Sequence, residues 1–435
     1  MFSYLRNLIP DRHPIRLLYH KFVAAMAAVI YGFPAKELIV VGVTGTNGKT
    51  STVNMITSIL HGAGEKVGMT STIRFRVGDE QWSNVSKQTT MGRFGLQKIL
   101  RRMVKAGCKY AILEVSSHAM TQSRVLGINI DVAVITNVTP EHVEYHGSFD
   151  AYLRAKGQLF KKVSRGRRKK DMQKVLVLNA EDENFEYFDS FVADRKFTYG
   201  LDKGIFHVSD LKSDSKGSEF ILHMPNEALP VSLKMPGRFN VYNALAASAV
   251  CVALGLSIEQ VKKGLDNLGA VPGRYEIVNA GQDFTVVVDY AHDVVALKNL
   301  FSTYKKLTEG RLFVVFGATG GGRDKHKRPE MGKVAHKYAD YIVLTNDDPY
   351  TEDEYEILDQ ISEGVERVEG DSFWKIPDRK EAICLALSLA QKGDSVIVSG
   401  KGCEEVMMLR GKRIKWNDRD VIEELIGKLG MDFCC

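Results

Sequence analysis

A chain of 435 residues is too long for one ordinary core and points to two or three domains. Its 44% hydrophobic and 26% charged residues exclude a disordered chain and suit a globular one. A net charge of +6 is compatible with phosphorylated ligands but too slight at this length to argue for nucleic acid, and six scattered cysteines fit a reducing compartment better than a disulfide scaffold.

The first predicted element is a helix over Ile15–Phe33, which carries Arg16, His20 and Lys21. Its unbroken apolar part, Phe22–Tyr31, is too short to span a bilayer. A packed amphipathic helix is the leading reading, ahead of an interfacial membrane helix and a signal peptide. Strand and helix patterns then alternate, as in parallel α/β layers. Leu38–Val43 reads as a strand and Thr50–His61 as the helix after it. Tyr110–Glu114, Val132–Thr136 and Lys174–Leu178 read as buried strands, and Phe206–Met224 as an antiparallel excursion. A helix begins near Asn240 and ends at Gly255, and Pro272-Gly273-Arg274 marks a boundary. Beyond it Thr285–Asp289, Arg311–Phe316, Tyr341–Leu344 and Ser395–Val398 read as strands, which makes a second α/β domain joined near residue 273.

The strongest chemical signal is Gly42-Val43-Thr44-Gly45-Thr46-Asn47-Gly48-Lys49-Thr50, followed by Ser51, between a strand and a helix. Glycines let backbone N–H groups approach phosphate oxygens, and the helix start adds its positive end. Lys49 is placed to neutralise the β- and γ-phosphates and the Thr50 hydroxyl to reach Mg²⁺. The usual spacing would put glycine at 43; here Val43 stands there and Gly45 lies two residues closer. Such a loop needs a metal carboxylate at a neighbouring strand end, which Glu114 supplies, followed by Ser116, Ser117 and His118. The next strand ends before Thr139-Pro140-Glu141-His142 and His146, again at the edge where open α/β sheets bind ligands.

GTNGKT, LEVSSHAMTQSRVLG and DVAVITNVTPEHVEYHGSFDAYLRAKGQLF together resemble the Mur ligases of peptidoglycan synthesis. Within them the chain looks most like the branch adding the third residue to a UDP-N-acetylmuramoyl dipeptide. PGRFNVYNALAA, VPGRYE, VVVDYAH, FGATGGGRDKHKRPEMG, TNDDPY and SGKGCEE continue the match in order, roughly over 38–405. The resemblance implies a short helical segment over 1–36, a central P-loop-type ATPase domain with a parallel sheet over 37–273, and a C-terminal Rossmann-like domain over 274–435. It implies ATP and two Mg²⁺ ions, and an acyl-phosphate on the way to an amide.

Residue by residue, Lys156 matches the family's carbamylated lysine, an oxygen ligand for the second Mg²⁺ beside Glu114 and His142; Thr50 and Glu114 would hold the first. Asn240 and Asn243 match positions lining the nucleotide, and Arg274 and Asp289 match C-terminal contacts to it, so that domain closure would assemble the site. Thr89, Thr90, Ser116, Gln122 and Arg124 match the muramoyl-peptide pocket. His118 and His292 are nominees for the base.

Three departures bear on substrates. Only about 37 residues precede the first strand, fewer than a uridine-gripping domain needs. Either another protein supplies that grip, or the acceptor is not a UDP-linked sugar, or membrane contact through 15–33 brings the enzyme to a lipid-linked one; a muramoyl-peptide acceptor with a loosely held UDP end is the leading reading. Diaminopimelate-choosing members carry D-N-P-R, whereas this chain has Asp347-Asp348-Pro349-Tyr350, which removes a bidentate carboxylate clamp. Asp347, Asp348 and Glu404 would then suit a cationic amine such as that of L-lysine, while Arg323 matches a diaminopimelate contact and argues the other way. Cys403 replaces the family's histidine, and Glu141 an aspartate. The basic run Arg165–Lys170 is expected to be a solvated loop, not a nucleic-acid site, and Cys434-Cys435 carries no lipidation signal. Folate polyglutamation and a nucleotide-binding protein without ligase activity are the competing readings.

Overall fold

A computed structural model describes residues 12–429 except 87, 170, 171, 215 and 226. The chain divides into two compact units, one ending at Leu268 and the other starting at Gly269; Ser213–Ser218 and Lys234–Gly237 group with the second.

The first unit is built on an eight-stranded sheet in the order β4-β3-β2-β5-β1-β6-β7-β8. Its strands are β1 (Ile39–Thr44), β2 (Val67–Thr70), β3 (Arg74–Val77), β4 (Glu80–Ser83), β5 (Tyr110–Glu114), β6 (Val132–Ile135), β7 (Val175–Asn179) and β8 (Arg195–Tyr199). From β2 to β8 across the sheet every pairing is parallel, and β3 and β4 add an antiparallel edge. The central strands are buried on both faces, which is why they read as continuous Val, Ile and Leu runs rather than alternating ones. The carboxyl ends of β1, β5, β6 and β7 therefore share one edge of the sheet.

Five helices of this unit bear on the site: α1 (Pro14–Ile30), α2 (Lys49–Gly62), α3 (Arg93–Lys105), α4 (Phe149–Arg165) and α5 (Arg238–Ala253). Leu159 and Phe160 of α4 join Val40, Leu113, Ala133 and Leu176 in the core. Helix α1 packs on α3 through a face of small residues that includes Ala24, Ala27 and Ala28, with His20 buried among them. Its other face is exposed and apolar: Ile15, Leu18, Tyr19, Phe22, Met26, Val29 and Ile30 fall in one stripe at the helical repeat. No helix among the described residues is long and apolar enough to cross a membrane.

After β8 come β9 (His207–Asp214), β10 (Gly217–Met224) and β11 (Glu227–Leu233), a separate sheet ordered β11-β10-β9. Two-residue connections between adjacent strands require antiparallel pairing, so the expected excursion is present and one strand longer than its sequence signal.

The second unit has a six-stranded sheet ordered β12-β13-β17-β14-β15-β16. It contains β12 (Glu276–Val278), β13 (Thr285–Asp289), β14 (Leu312–Phe316), β15 (Tyr341–Leu344), β16 (Phe373–Lys375) and β17 (Ser395–Ser399), all parallel except β12. A hairpin of β18 (Val406–Leu409) and β19 (Lys412–Lys415) follows.

The expected strand ends shift by a residue at several places. The basic run is not simply solvated: Arg168 pairs with Asp194, and Lys169 with the buried Asp131, which also takes Lys174 at 2.9 Å. Lys170 and the two terminal cysteines lie outside the described residues.

Candidate active site

Between β1 and α2 the phosphate loop is held by the neighbouring strand end. The Asn137 carbonyl accepts from the Thr46 N–H at 2.8 Å, and the Asn137 side-chain oxygen from the Asn47 N–H at 3.0 Å. The Thr136 hydroxyl donates to the Asn47 carbonyl at 2.6 Å. At Gly45 (φ 150°) a Cβ would stand 1.8 Å from the Thr136 hydroxyl oxygen, so only glycine fits. Gly48 (φ 82°) is equally constrained, its Cβ position lying 2.3 Å from the side-chain oxygen of Asn243. Lys49 donates to the Thr46 carbonyl at 2.6 Å, at the mouth of the loop. Ser51 is buried in the first turn of α2.

Glu114, 1% exposed at the end of β5, accepts from the Thr50 hydroxyl at 3.0 and 3.1 Å. It also accepts from the backbone and hydroxyl of Thr72 at 2.8 and 2.9 Å. Sequence reasoning missed Thr72; the only trace was a Ser-Thr pair where the chain leaves a strand. Asn243 accepts from the Thr52 hydroxyl at 3.3 Å and lies 3.5 Å from Asn240, which ties α5 to the start of α2.

Lys156 is 1% exposed on α4. Its amine donates to the Gly45 carbonyl at 2.6 Å and lies 4.2 Å from the Tyr152 ring centre. Burial first, and the charge of Lys49 second, push it well below the ordinary lysine range and favour the neutral amine. His142, at φ 56°, stands 3.7 Å from Glu141 and 3.6 Å from Glu144. His118 packs 4.9 Å from His142 and 3.9 Å from Tyr145, ring centre to ring centre. His146 is buried, meets the Ser117 hydroxyl at 3.0 Å and has its pKa lowered to about 4, chiefly by burial and then by His142.

A polar line continues from Glu114 along the adjoining loops. The Thr90 hydroxyl donates to the Glu114 carbonyl at 2.9 Å and accepts from the Ser116 N–H at 3.0 Å, with Thr89 half-buried beside it. Arg124 donates to the Thr90 carbonyl at 2.5 Å and to the side-chain oxygen of Gln122 at 2.8 Å.

In the second unit Asp289, at the end of β13, is buried and accepts from the N–H groups of Tyr275 and Ala291 at 2.8 and 2.7 Å. Burial raises its pKa, with Arg274 opposing. The Arg274 guanidinium lies 4.5 Å from the Tyr290 ring centre, and His292 approaches the Tyr290 carbonyl at 2.8 Å. Burial pushes the Cys403 thiol up to about 12, so it is no thiolate nucleophile at neutral pH.

Asp347, Asp348 and Glu404, expected to suit a substrate amine, gather around a lysine of the chain itself. Lys401, 0% exposed, donates to Asp348 at 3.0 Å and pairs with Glu404. Burial lowers its pKa, but Asp347, Glu404 and Asp348 outweigh that and hold it cationic above the ordinary lysine range. The negative charge read as a seat for a substrate amine thus already has an internal partner. The SGKG motif contained Lys401, but nothing in its spacing said which way the side chain turned. Tyr350 has φ 57° and feels the charges of Asp348 and of the exposed Arg323.

Residues 43–251 match the Mur ligase middle domain and residues 273–402 the Mur ligase glutamate ligase domain. The chain belongs to the Mur ligase family. It is 38% identical over 419 residues to a UDP-N-acetylmuramoyl-L-alanyl-D-glutamate–2,6-diaminopimelate ligase of Bacillus licheniformis, covering 96% of this chain and 84% of that protein. The Geobacillus thermodenitrificans protein of the same name is 39% identical, covering 92% and 81%. A solved structure of a ligase of that name matches with a TM-score of 0.62 and 31% identity over 90% of this chain and 79% of the other. Mycobacterium tuberculosis folylpolyglutamate synthase matches with a TM-score of 0.71 over 95% of each chain, but at 18% identity this speaks for the fold alone.

As a Mur ligase the chain is an ATP-dependent, ADP-forming amide ligase of peptidoglycan synthesis that uses Mg²⁺. Two oxygen donors in the first unit fit that ion side by side, the buried Glu114 carboxylate and the Thr50 hydroxyl 3.0 Å from it. In the second unit Asp289 ends β13, Asp347 and Asp348 follow β15, and Lys401 and Glu404 follow β17.

Proposed function

We propose that this Mur ligase adds a diamino acid, 2,6-diaminopimelate first among them, to the dipeptide of a UDP-N-acetylmuramoyl acceptor. Identity of 38% over nearly the whole chain to ligases named for that reaction supports it. So does Lys401, whose charge offsets part of the acidic cluster that would suit L-lysine. Arg323 would meet the distal carboxylate, with the Tyr350 hydroxyl in place of the family's arginine.

The chemistry follows from charge. A carboxylate is a poor electrophile, so its oxygen attacks the γ-phosphorus of ATP, the β–γ bridge breaks, and ADP leaves an acyl-phosphate. The loop N–H groups from Gly45 to Thr50, with Lys49, bind and orient the phosphates. Thr50 and Glu114 would hold one Mg²⁺, and Glu114, His142 and a carbamate on Lys156 the second. The ions supply positive charge against the phosphoryl oxygens. The neutral Lys156 amine is the form that adds CO₂, losing a proton as the C–N bond forms, which turns a buried base into a carboxylate-like ligand. The substrate amine then attacks the acyl carbon; the C–N bond forms, phosphate leaves and a proton is released. Asn240, Asn243, Arg274 and Asp289 would line the nucleotide, and Thr89, Thr90, Ser116, Gln122 and Arg124 the muramoyl peptide.

The test is phosphate release from ATP with UDP-N-acetylmuramoyl dipeptide while diaminopimelate, L-lysine, L-ornithine and glutamate are scanned. Diaminopimelate should turn over fastest, and Tyr350→Arg should widen its lead over L-lysine by about tenfold. Faster turnover of L-lysine would overturn the amino-acid assignment. Silence with every amino acid would overturn the UDP-linked acceptor and bring forward a lipid-linked one or a partner protein.

We place the enzyme in the cytoplasm, with α1 lying on the inner membrane surface. Its exposed apolar stripe has Arg16 and Lys21 on its two flanks and no acidic residue anywhere in the helix, which matches an anionic lipid surface.

A further inference from the structure

Where α1 meets the first unit, a cavity of about 230 Å³ is lined by Arg16 and His20 from the helix and by Gln88, Arg93, Gln122 and Arg124 from the body, with Gly92 between them. Among the described residues its lining carries three arginines and a histidine and no acidic residue. Its inner wall belongs to the polar line that starts at Glu114. Arg93 donates to the Gln122 carbonyl at 2.8 Å, and Arg124 joins Gln122 to Thr90, which is bonded to Glu114.

From this geometry we propose that α1 supplies the acceptor's phosphate grip: Arg16 and His20, with Arg93, form a subsite for the diphosphate of the muramoyl-peptide acceptor. The proposal rests on the muramoyl-acceptor reading and extends it to residues outside the muramoyl-peptide pocket. The order of groups along the wall carries it. Thr50 and Glu114 mark the phosphoryl-transfer end, Thr90, Ser116, Gln122 and Arg124 the peptide, and Arg93, Arg16 and His20, on the other walls of the cavity that Gln122 and Arg124 also line, come next. An acceptor presents its groups in that same order, with the activated carboxylate at one end, the peptide and sugar between, and the diphosphate at the other. Guanidinium groups suit phosphate because their planar forks donate two parallel hydrogen bonds. Arg16 and Arg93 add two further arginines to the Arg124 that the peptide pocket already uses. The same diphosphate chemistry is offered by a UDP-linked and by a polyprenyl-linked acceptor, so the cavity admits both and the experiment separates them.

The test compares the full protein with Arg16→Gln and Arg16→Lys on three acceptors: UDP-N-acetylmuramoyl dipeptide, the same molecule without UDP, and a polyprenyl-diphosphate-linked form in detergent. With a diphosphate acceptor, Arg16→Gln should raise the acceptor KM about tenfold or more at unchanged kcat, and Arg16→Lys should recover part of it. With the UDP-free acceptor the variant and the parent should be equal. Equal losses on both kinds of acceptor would mean that Arg16 only holds α1 in place, and no loss on either would mean that the cavity is unused; each overturns the proposal. The diphosphate form with the higher kcat/KM names the source. Inorganic pyrophosphate, titrated calorimetrically with the nucleotide loop filled by a non-hydrolysable ATP analogue, reads the subsite without turnover. Equal binding by parent and Arg16→Gln overturns the subsite. Weakened binding by the variant, in a parent that uses no muramoyl acceptor, overturns the acceptor reading and keeps the anion site.

Discussion

Lys156 in the first unit and Lys401 in the second are the same side chain buried to the same degree, 1% and 0% exposed, with their pKa values pushed in opposite directions. Lys156 meets a backbone carbonyl and an aromatic ring, with another lysine's charge working against it, and is driven toward the neutral amine. Lys401 meets Asp348 and Glu404 directly and stays a cation. Burial alone does not decide what a lysine becomes; the acids within hydrogen-bonding reach do. The first environment leaves a reactive nitrogen, and the second makes a cross-link between strand ends.

The largest effect that separates them should come from Lys156→Ala. Ligation should fall by at least about a thousandfold while ATP binding stays close to that of the parent, because the lysine acts on the transferred phosphoryl group. Added short carboxylic acids should restore part of the rate by standing in for the carbamate. Full activity of the variant without rescue would end the assignment.

Lys401→Met should leave Asp348 and Glu404 buried without their cation and cost about 3–5 kcal/mol of stability, read as a lowered urea midpoint. Adding Asp348→Asn and Glu404→Gln should return much of it; no recovery would show that the lysine's packing, not its charge, matters. The pH dependence has a definite sign. A lysine whose pKa is raised on folding contributes fully below the ordinary value of 10.5 and loses that contribution as pH climbs through the higher folded value. The parent should therefore lose stability above that pH faster than the triple variant.

The smallest effect concerns α1, whose exposed stripe has no counterpart elsewhere among the described residues of either unit. Phe22→Glu should weaken co-sedimentation with vesicles rich in anionic lipid about tenfold and leave turnover of a soluble acceptor unchanged. Equal sedimentation of parent and variant would remove the membrane reading.

The sequence carried the ligand-binding edge of the first unit well, because parallel strands buried on both faces are continuous apolar runs and the loops after them are short. Gly45, Lys49, Thr50 and Glu114 were legible as chemistry for that reason. Lys156 was not; on α4 it reads as one more charge in a basic amphipathic helix, and only the family resemblance singled it out. Lys401 and Thr72 were invisible for a related reason, since Asp348 lies 53 residues from the first and Glu114 42 from the second, and no local pattern predicts which side chains meet. Strands β2, β3 and β4 were missed because four-residue strands at an antiparallel edge give too short a period to register. The buried pair of Arg379 and Asp418, at 2.7 Å, was likewise silent, although Arg379 also donates to the Asn346 and Ser399 carbonyls and so fixes the strand ends that carry Asp347 and Lys401.

The close approach at Gly45 has a consequence for how this protein can change over generations. A single methyl group there would strike the side chain of Thr136, 91 residues further along, before any nucleotide arrives. Trimming residue 136 would not release position 45, because the Asn137 carbonyl stands 3.1 Å from the same Cβ position and the backbone at φ 150° strains any side chain. Position 45 is thus closed to every other residue, whatever happens at 136. Such a lock keeps the loop's shape constant while the amino-acid end of the enzyme, with its tyrosine in place of an arginine, remains free to explore.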